Sequence, residues 1–573
     1  MAVTNAEIAA IFDRIADLLS IQQDNPFRIR AYRNAARTVR GLAHSLSDMV
    51  QAGEDLESLP GIGKDLAAKI REIVRTGSLR KLRELEQAVP PGLVELLQVP
   101  GLGPKRLQAL RDELGIQSLA DLEQAAARGL IRNLPGFGAK TEANLLREVR
   151  ELARRVRRHP WAEVEPLAEQ LLTWLRARPG VRRVEMAGSY RRRRETVGDL
   201  DVLAVASKGR AVTEAFTRFD AVERVISQGS TRSTVVLRTG LQVDLRVVPA
   251  ASFGAAWHYF TGSKAHNIAV RVMGVQRGLK INEYGVFDRS GKRLGGRTEE
   301  EVYAHVDLPW IEPELRENRG ELAAAAQGRL PRLVTLEDLR GDLHCHTTAS
   351  DGQDDLATMA RAARELGREY LAITEHSPHL GVAGGLTPDR VLAHCDAIDA
   401  LNETLDGIRL LKGLEVDILE DGSLDMPDEV LARLDICLGA IHGAFSLPAD
   451  KQTERLIRAM DNPHLNIIAH PTARLIGRRE ACRLDMDKVM DAALERGCFL
   501  ELNSQPMRLD LDDVHCRMAR ERGLKVAIST DAHAAGQLDY LRYGVAQARR
   551  GWLEAKDVLN TLPLNELLEA LKR

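Results

Sequence analysis

Two clusters of side chains in this sequence could bind divalent cations, and they are of opposite chemical character. The first is the stretch GSYRRRRETVGDLDVL at 188–203, which is followed by Asp244 in a VDL triplet. The second opens with DLHCH at 342–346 and closes with STDAH at 529–533. Carboxylate oxygens suit Mg²⁺, whereas imidazoles mixed with carboxylates suit Zn²⁺, Mn²⁺ or iron. We therefore expect one chain to carry two chemistries.

The carboxylates of the first cluster are spaced for a strand. Asp199 and Asp201 flank Leu200 at the start of an apolar run, so a strand would point both to one face. Asp244 lies on the polar face of an alternating stretch at 241–248. Three carboxylates on neighbouring strands would repel one another without cations, and two Mg²⁺ about 4 Å apart stabilise both oxygens of a phosphoryl displacement. A DxD pair beside a solvated arginine run also occurs without chemistry.

The whole string at 188–203 resembles the nucleotidyltransferase signature of family X DNA polymerases, and WHYFTGSKAHNIAVRVMGVQRGLKINEYGVF at 257–287 resembles their thumb. The resemblance implies that Asp199, Asp201 and Asp244 are catalytic residues that bind Mg²⁺ or Mn²⁺. It also implies nucleotide-binding residues: Ser189, Arg192 and Gly198 at the triphosphate, Tyr259, Phe260 and Gly262 at the sugar, and Asn267 and Arg271 at the base pair, with Asn282 and Glu283 in the closing network. Lys264 departs from the pattern, because the vertebrate repair enzyme of this family has an acidic residue there.

Three near-copies of one glycine pattern occupy the N-terminal region, at LPGIGKDLAAKI (59–70), VPGLGPKRLQAL (99–110) and LPGFGAKTEANL (134–145). The glycines allow a tight turn whose backbone N–H groups lie at a helix N-terminus, where phosphate binds without base information. A single such pattern often only joins packed helices. Three in tandem resemble helix-hairpin-helix DNA-binding elements, which implies the DNA-binding residues Gly61, Gly63, Gly101, Gly103, Gly136 and Gly138.

The first helical segment resembles the 5′-deoxyribose phosphate lyase domain of the same family, in which a lysine forms a Schiff base with the abasic sugar. By this match Lys69 is the candidate lyase nucleophile. Asp65 lies one helical turn before it, and its carboxylate should stabilise the ammonium form and repel the 5′ phosphate. We expect lyase activity that is weak or absent; the alternative role of Lys69 is a simple phosphate contact.

The second half of the chain alternates short apolar strands with helical stretches. Seven strands can be identified, at DLHCH, YLAITEH, LLKGLEVDI, ICLGAIH, NIIAHP, FLELNS and KVAISTDAH. Polar side chains collected at the carboxyl ends of parallel strands are typical of a (βα) barrel. One such histidine is more often a core or surface side chain, but chance does not explain the set. The potential metal ligands are His344, His346, Asp351, His376, Glu415, His442, His470, Asp531 and His533.

This set resembles the PHP phosphoesterase family. The resemblance implies a distorted seven-stranded (βα) barrel that binds up to three divalent metals, Mn²⁺ or Zn²⁺. It assigns His344, His346, Glu415 and Asp531 to one metal, Glu415, His442 and His470 to a second, and Asp351, His376 and His533 to the third. No ligand of the set is missing, which indicates a working hydrolase.

The expected fold is therefore multidomain, with all-α helix-hairpin-helix units, an α+β nucleotidyltransferase palm and thumb, and a C-terminal distorted (βα)7 PHP barrel. Motifs and helix breakers place the boundaries. They give a helical lyase-like domain at 1–88, a helix-hairpin-helix subdomain at 89–155, a palm at 156–252, a thumb-like subdomain at 253–318, a linker at 319–340 and the PHP domain at 341–573.

Composition limits the setting in which the protein acts. The formal net charge of −2 means that any DNA-binding surface must be local, as in the arginine runs at 154–158 and 191–194. All 6 cysteines lie in the second half and form no CxxC pair, which indicates a reducing compartment. No apolar run is long enough to span a membrane. We expect a cytoplasmic monomer.

The sequence thus predicts a DNA-directed DNA polymerase that fills short gaps during DNA repair, with gapped or primed DNA and deoxynucleoside triphosphates as partners. The PHP domain is expected to be a metal-dependent 3′-to-5′ exonuclease, with cleavage at abasic sites as an open extension. Two alternatives remain at this stage. The chain could be a DNA-end binding scaffold with an inactive polymerase half, or the PHP domain could act on small phosphomonoesters, because substrate choice lies in loops.

Overall fold

The computed structural model describes residues 5–22, 24–41, 46–51, 53–76, 79–88, 93, 96, 99, 102–156 and 158–573. The chain divides into two compact units, residues 1–157 and 158–573. Among the helices that the structure describes, none combines the length and the apolar character needed to cross a membrane. The cysteines are all buried and free.

The first unit is all-helical in its described part. Its helices are Asn5–Ile21, Pro26–Gly41, Leu46–Gln51, Lys64–Thr76, Arg80–Ala88, Pro104–Leu114, Leu119–Ala127 and Ala139–Val156, with short 3-10 turns at Leu56–Ser58 and Ile131–Asn133. Apolar residues on one face of each helix meet in a single core that includes Phe12, Ile70, Leu110 and Val149. The two predicted N-terminal segments, 1–88 and 89–155, therefore share one core.

The palm is the first part of the second unit, and it is built on a five-stranded sheet. The strands lie in the order Val181–Met186, Asp199–Ala206, Gln242–Val247, Arg232–Leu237 and Val222–Gln228. Asp199–Ala206 and Gln242–Val247 are parallel, and Asp201 lies opposite Asp244. The helices are Trp161–Arg176, Gly188–Arg191 and Gly209–Phe216, and a small pair of strands joins His159–Pro160 to Thr196–Val197.

The thumb-like part combines helices with a three-stranded antiparallel sheet. Its helices are Phe253–Thr261, Lys264–Gln276 and Glu299–Ala304, and its strands are Lys280–Asn282, Gly285–Phe287 and Arg293–Gly295. Residues 319–340, predicted to be a linker, contain the helix Glu321–Ala326 and a 3-10 turn at Leu336–Asp338.

The C-terminal part contains the seven predicted strands, which form one parallel sheet in sequence order. The strands are Gly341–Asp342, Tyr370–His376, Arg409–Asp417, Ile436–Ala440, Ile467–Ile468, Phe499–Asn503 and Val526–Ser529. A parallel bridge between Cys345 and Ala532 brings the two edges together, so the sheet is a nearly closed barrel. The surrounding helices are Leu356–Glu365, Pro388–Asn402, Asp428–Leu431, Ala449–Ala459, Met486–Arg496, Asp513–Arg522, Leu541–Arg550 and Leu564–Ala570. The predicted (βα) barrel is confirmed.

The barrel packs directly against the palm, a placement that the sequence did not reveal. Leu509, Tyr543 and Ala546 of the barrel belong to the same hydrophobic core as Trp161 of the palm. The rings of Trp161 and Tyr543 meet edge to face, with centroids 5.3 Å apart. Trp552 similarly joins the core of the thumb. The two halves of the second unit therefore share buried apolar surface, which stabilises their association.

Candidate active sites

Three aspartates form the acidic centre of the palm. The strand period turns Asp199 and Asp201 to one face, and the parallel register sets Asp244 beside Asp201. Gly188 approaches this centre closely, since a Cβ there would lie 2.7 Å from Oδ2 of Asp201. Its φ of +61° is also one that glycine adopts without strain. The arginine-rich loop is thereby held against the carboxylates.

The three carboxyl groups differ in their surroundings. Burial, with repulsion from Asp199 and Asp244, raises the pKa of Asp201 to about 7. Burial and Asp244 likewise raise the pKa of Asp199. The pKa of Asp244 is lowered despite its burial, because Thr234, Arg232 and Gln242 donate hydrogen bonds to it. These bonds measure 2.6 Å from Thr234 Oγ1, 2.8 Å from Arg232 Nη2 and 2.8 Å from Gln242 Nε2.

This acidic centre fits divalent cations. The raised pKa values of Asp199 and Asp201 reflect burial and repulsion, and a bound cation would relieve the repulsion and displace a proton. Oxygen-only donors favour hard cations such as Mg²⁺ or Mn²⁺. The residues that would hold them are Asp199, Asp201 and Asp244.

The predicted triphosphate contacts lie in and around one loop. Ser189 belongs to the helix Gly188–Arg191, Arg192 follows it, and Gly198 directly precedes Asp199. Arg192 donates from Nε to Glu317, at 3.1 Å, and from Nη1 to the carbonyl of Thr261. In the described part of the chain these are its side-chain hydrogen bonds, so no described residue accepts a hydrogen bond from Nη2.

The predicted sugar and base contacts lie on two consecutive helices. Tyr259 and Phe260 are near the end of Phe253–Thr261, and Gly262 follows them with a φ of +73°. A Cβ at Gly262 would lie 3.1 Å from Nη1 of Arg192. The thumb therefore touches residues 188–198, the predicted triphosphate loop, at this point. Asn267 and Arg271 lie on Lys264–Gln276, where Nδ2 of Asn267 donates to the carbonyl of Tyr259 at 2.6 Å.

The residues predicted for the closing network occupy a turn of the thumb. Asn282 accepts hydrogen bonds from the backbone N–H groups of Tyr284 and Gly285 at 3.0 and 3.2 Å, which fixes the turn. Glu283, the next residue in this turn, is half-buried.

A buried ion network behind the loop was missed by the sequence reasoning. Arg191 and Arg316 both bind Glu299, with their closest contacts at 2.7 and 2.6 Å. Although burial opposes ionisation, these two arginines hold the pKa of Glu299 well below its usual range. Arg191 thus anchors the loop, while Arg192 faces the thumb. Glu299 lies 108 residues from Arg191, and no local pattern connects them.

The barrel brings all of its predicted ligands together at the carboxyl ends of the strands. Ligand atoms lie within 4.8 Å of one another in three overlapping groups: His346, Asp351, His376 and His533; His344, His346 and Asp531; and His376, Glu415 and His442. Glu415 is central, because its carboxylate lies 2.8 Å from Nδ1 of His376 and 3.0 Å from Nε2 of His470. The division of these ligands among three separate metals stays a prediction.

In the barrel, buried carboxylates and histidines stabilise each other's charged forms. Burial opposes ionisation, but the surrounding histidines keep the pKa values of Glu415 and Asp531 well below their usual range. Against the same penalty, Glu415 and Asp351 raise the pKa of His376 to about 10. His346, in contrast, has its pKa lowered to about 4 by burial and by His376.

Several buried atoms at the centre of the barrel find no hydrogen-bond partner within the described residues. They include Nε2 of His344 and both ring nitrogens of His346. Buried polar atoms are normally paired, so this convergence fits bound cations. Mixed imidazole and carboxylate donors are compatible with Mn²⁺ or Zn²⁺.

A second layer of carboxylates orients the histidines. Glu501 accepts from Nδ1 of His344 at 2.8 Å and from the backbone N–H of His470 at 2.7 Å. Asp417 similarly binds Nδ1 of His442 at 3.1 Å. Such contacts turn Nε2 toward the metal site and increase the basicity of the ring. Sequence reasoning missed both; a carboxylate on the buried strand FLELNS was the signal that could have revealed Glu501.

The glycine hairpins of the first unit have a repeated geometry. Gly61 and Gly136 have φ values of +77° and +81°, and Gly63, Gly103 and Gly138 immediately precede helices. A Cβ at any of these glycines would meet no atom within 4 Å. The open space and the helix N-termini suit an extended anionic backbone. Gly101 lies outside the described residues.

Lys69 has neighbours around its amine in the structure. Its Nζ forms an ion pair with Asp65, and it lies 5.7 Å from the ring centroid of Tyr32. Its side chain is 16% exposed, against 82% for Asp65. The predicted pairing is therefore present.

The fold and the sites together define a protein with a nucleotidyltransferase palm and a metal-binding phosphoesterase barrel. Comparison with protein families agrees. Residues 3–79 match a helix-hairpin-helix domain, 93–151 a SAM-like helix-hairpin-helix tandem, 256–317 the DNA polymerase beta thumb and 342–505 the PHP domain.

Individual relatives cover either the whole chain or one half. The chain is 39% identical over 570 residues to the DNA polymerase/3′-5′ exonuclease PolX of Bacillus subtilis, covering 99% of both proteins. It is 27% identical over 343 residues to DNA polymerase lambda of Rattus norvegicus, covering 55% of this chain and 56% of that one. The barrel half is 29% identical over 242 residues to a probable phosphatase of Thermoanaerobacter sp., covering 40% of this chain and 94% of that protein. The chain therefore belongs to the family X DNA polymerases that carry a PHP domain.

Proposed function

We propose that this protein is a DNA-directed DNA polymerase that fills short gaps during DNA repair and that removes nucleotides from 3′ ends with its barrel. The observation that carries the proposal is the convergence of Asp199, Asp201 and Asp244 beside a thumb that matches the DNA polymerase beta thumb. The loop before Asp199 resembles the signature of the same family. The helix-hairpin-helix elements support DNA as the substrate, because they offer backbone amides to phosphates of any sequence.

In nucleotide addition the palm residues would bind and orient. Divalent cations, Mg²⁺ or Mn²⁺, would supply charge neutralisation and a lower pKa for the primer 3′ hydroxyl. Asp244 is the candidate to assist the nucleophile, because Thr234, Arg232 and Gln242 hold its carboxylate ionised and fixed. In-line transfer depends chiefly on such positioning.

Nucleotide contacts would come from the loop and the thumb. Ser189, Arg192 and Gly198 would hold the triphosphate. This role is supported by Nη2 of Arg192, which has no hydrogen-bond acceptor among the described residues. Tyr259, Phe260 and Gly262 would line the sugar. Asn267 and Arg271 would face the base pair. Since each site is assembled from one chain, we propose that the protein acts as a monomer.

In the barrel the ligand set would bind up to three divalent cations, Mn²⁺ or Zn²⁺. These would activate the attacking group and polarise the phosphodiester. Glu501 and Asp417 would keep His344 and His442 turned toward the site. The whole-chain likeness to a polymerase with 3′-5′ exonuclease supports DNA ends as the substrate, and abasic sites are a further candidate.

A second candidate for the barrel is hydrolysis of small phosphomonoesters. The observation that favours it is the likeness of this half to the probable phosphatase, which extends over 94% of that protein. Metal ligands do not separate these substrates, because both reactions displace an oxygen at phosphorus.

One assay tests both halves of the proposal. The full chain is incubated with a gapped duplex in Mg²⁺ or Mn²⁺, and extension and degradation of the primer are followed together. Extension that depends on the deoxynucleoside triphosphate paired with the template is expected. A protein that binds the gap but does not extend in either metal would be a scaffold. Comparing turnover of a single-stranded oligonucleotide with that of p-nitrophenyl phosphate distinguishes a nuclease from a phosphomonoesterase.

A further inference from the structure

A helix of the barrel lies against the triphosphate loop of the palm. Arg550, the last residue of Leu541–Arg550, donates from Nη1 to the backbone carbonyl of Arg192 at 2.8 Å. The same nitrogen lies 3.0 Å from Oε1 of Glu317, and Nη2 donates to Asp513 at 2.6 Å. The side chain of Arg550 is 2% exposed. A fully buried guanidinium with three partners has a fixed position.

Glu317 connects this arginine to Arg192. Its Oε1 accepts from Nη1 of Arg550 and from Nε of Arg192, so one carboxylate oxygen is shared by both guanidinium groups. Despite burial, Arg192 and Arg550 lower the pKa of Glu317, which keeps it charged. Arg550 therefore restrains Arg192 twice, through its backbone and through the partner of its side chain.

We propose that Arg550 is a positioning residue for nucleotide addition, which sets the guanidinium of Arg192 for the incoming triphosphate. The inference rests on the proposed role of Arg192. Without Arg550, Glu317 and Asp513 lose a buried cation, and the carbonyl of Arg192 loses its donor. The loop would then be free to relax, and small displacements of a substrate-positioning group reduce binding and rate strongly. The PHP half would thus complete the nucleotide pocket of the polymerase half.

The neighbouring residue Arg549 offers a matched control. It lies on the same helix and contacts the thumb side of the same interface, with Nε donating to Glu314 at 2.8 Å and Nη2 at 3.4 Å from Glu312. Its side chain is 18% exposed. Among the described residues it has no hydrogen bond or ion pair with the triphosphate loop. Loss of Arg549 weakens the interface without releasing Arg192.

The test compares the full-length R550Q, R550K, R549Q and R192A variants with the wild type. KM for the nucleotide and kcat are measured on a one-nucleotide gapped duplex, and exonuclease activity is measured on the same preparations. We expect R550Q to raise KM by about tenfold with a smaller change in kcat, as expected for a lost binding contribution. R550K should recover part of the loss, because it keeps the charge beside Glu317. R549Q should stay within about twofold of the wild type, because the partners of Arg549 among the described residues are Glu312, Glu314 and the carbonyl of Val334, and none of them lies in the loop.

The double variant R192A/R550Q shows whether Arg550 acts on nucleotide binding through Arg192 or independently of it. If Arg550 acts through Arg192, the double variant should be no worse than R192A; additive losses would overturn the inference. An unchanged KM in R550Q, with a raised KM in R192A, would overturn it while leaving the role of Arg192 intact. An unchanged KM in R192A would overturn both.

A second variant covers the case in which R550Q does not fold, as shown by loss of exonuclease activity. Asp513→Ala removes the carboxylate that accepts a hydrogen bond from Nη2 of Arg550. A rise in KM for the nucleotide supports the inference. An unchanged KM contradicts it.

Discussion

The two metal sites of this protein reach charge balance in different ways. In the palm three carboxylates face one another, and burial with mutual repulsion raises the pKa of Asp201 to about 7. In the barrel, carboxylates alternate with imidazoles, and each lowers the cost of charging the other. The palm therefore depends on incoming cations to neutralise it, whereas the barrel is organised beforehand.

The supporting residues differ in the same direction. The barrel ligands are backed by carboxylates such as Glu501, which fix the direction of the rings. Among the described residues of the palm, side-chain hydrogen-bond donors are found at Asp244 and not at Asp199 or Asp201, whose positions follow from strand register.

The largest expected effect is the separation of the two activities. Asp199→Ala or Asp244→Ala should lower the rate of nucleotide addition by several orders of magnitude, because each removes a metal ligand of the palm. The nuclease activity should be unchanged, because the barrel keeps all of its ligands. His344→Ala or His376→Ala should do the reverse. Primer extension and degradation are measured on the same gapped duplex. Degradation by His344→Ala in a preparation free of contaminating nuclease would mean that the barrel is not the nuclease.

The importance of preorganisation in the barrel is tested at Glu501. Glu501→Gln should lower the exonuclease rate or the metal affinity by about 10- to 100-fold, since it weakens the contact that orients His344. Extension should be unaffected. Glu495→Gln, at a carboxylate that is 75% exposed, is the control. A Glu501→Gln enzyme with full nuclease activity at limiting Mn²⁺ would show that the second layer is dispensable.

The pH dependence of metal binding should reveal the repulsion in the palm. Because the pKa of Asp201 is raised to about 7, a cation must displace a proton below that pH. Extension at subsaturating Mg²⁺ should therefore rise as the pH increases through about 7 and level off above it. At saturating Mg²⁺ the increase in rate between low pH and about pH 7 should disappear. A pH profile that is the same at both Mg²⁺ concentrations would contradict the assignment of Asp201 as a metal ligand.

A smaller effect is expected for substitutions in the helix-hairpin-helix unit, because this unit is expected to bind DNA and not to catalyse a reaction. Gly103→Val should weaken binding of the full chain to unrelated duplexes equally, by about tenfold, the loss of roughly one hydrogen bond to a charged group. Gly103 has an ordinary φ of −78° and open space around it, so the substitution should not strain the fold. Filter binding with two unrelated sequences measures the effect. Loss for only one sequence would contradict backbone contact.

The smallest effect concerns Lys69. Because Asp65 pairs with the Lys69 side chain, lyase activity should be weak or absent. Lys69→Ala should reduce gap filling by less than about twofold, as for the loss of a single phosphate contact. Borohydride trapping on a 5′-deoxyribose phosphate substrate measures the covalent adduct. Efficient trapping by the wild type that disappears in Lys69→Ala would establish a third active site.

The sequence predicted those features that follow from local periodicity. Strand alternation was enough to place Asp199 and Asp201 on one face, and the ligands at successive strand ends predicted the barrel. Contacts between distant segments could not be predicted in this way. Glu501 lies 157 residues from His344, and Arg550 lies 358 residues from Arg192. Contacts between residues so far apart in sequence depend on how helices and strands pack against one another.

The core shared by the palm and the barrel constrains how this protein can evolve. Trp161 packs against Tyr543, and Leu509 and Ala546 extend the same buried surface. A lineage that simply deleted the barrel would expose this apolar surface to water and would be prone to aggregation. Loss of the barrel itself would therefore require polar substitutions on the palm helix at the same time. Silencing the nuclease by changing one metal ligand is the shorter route, because the barrel then remains as a scaffold.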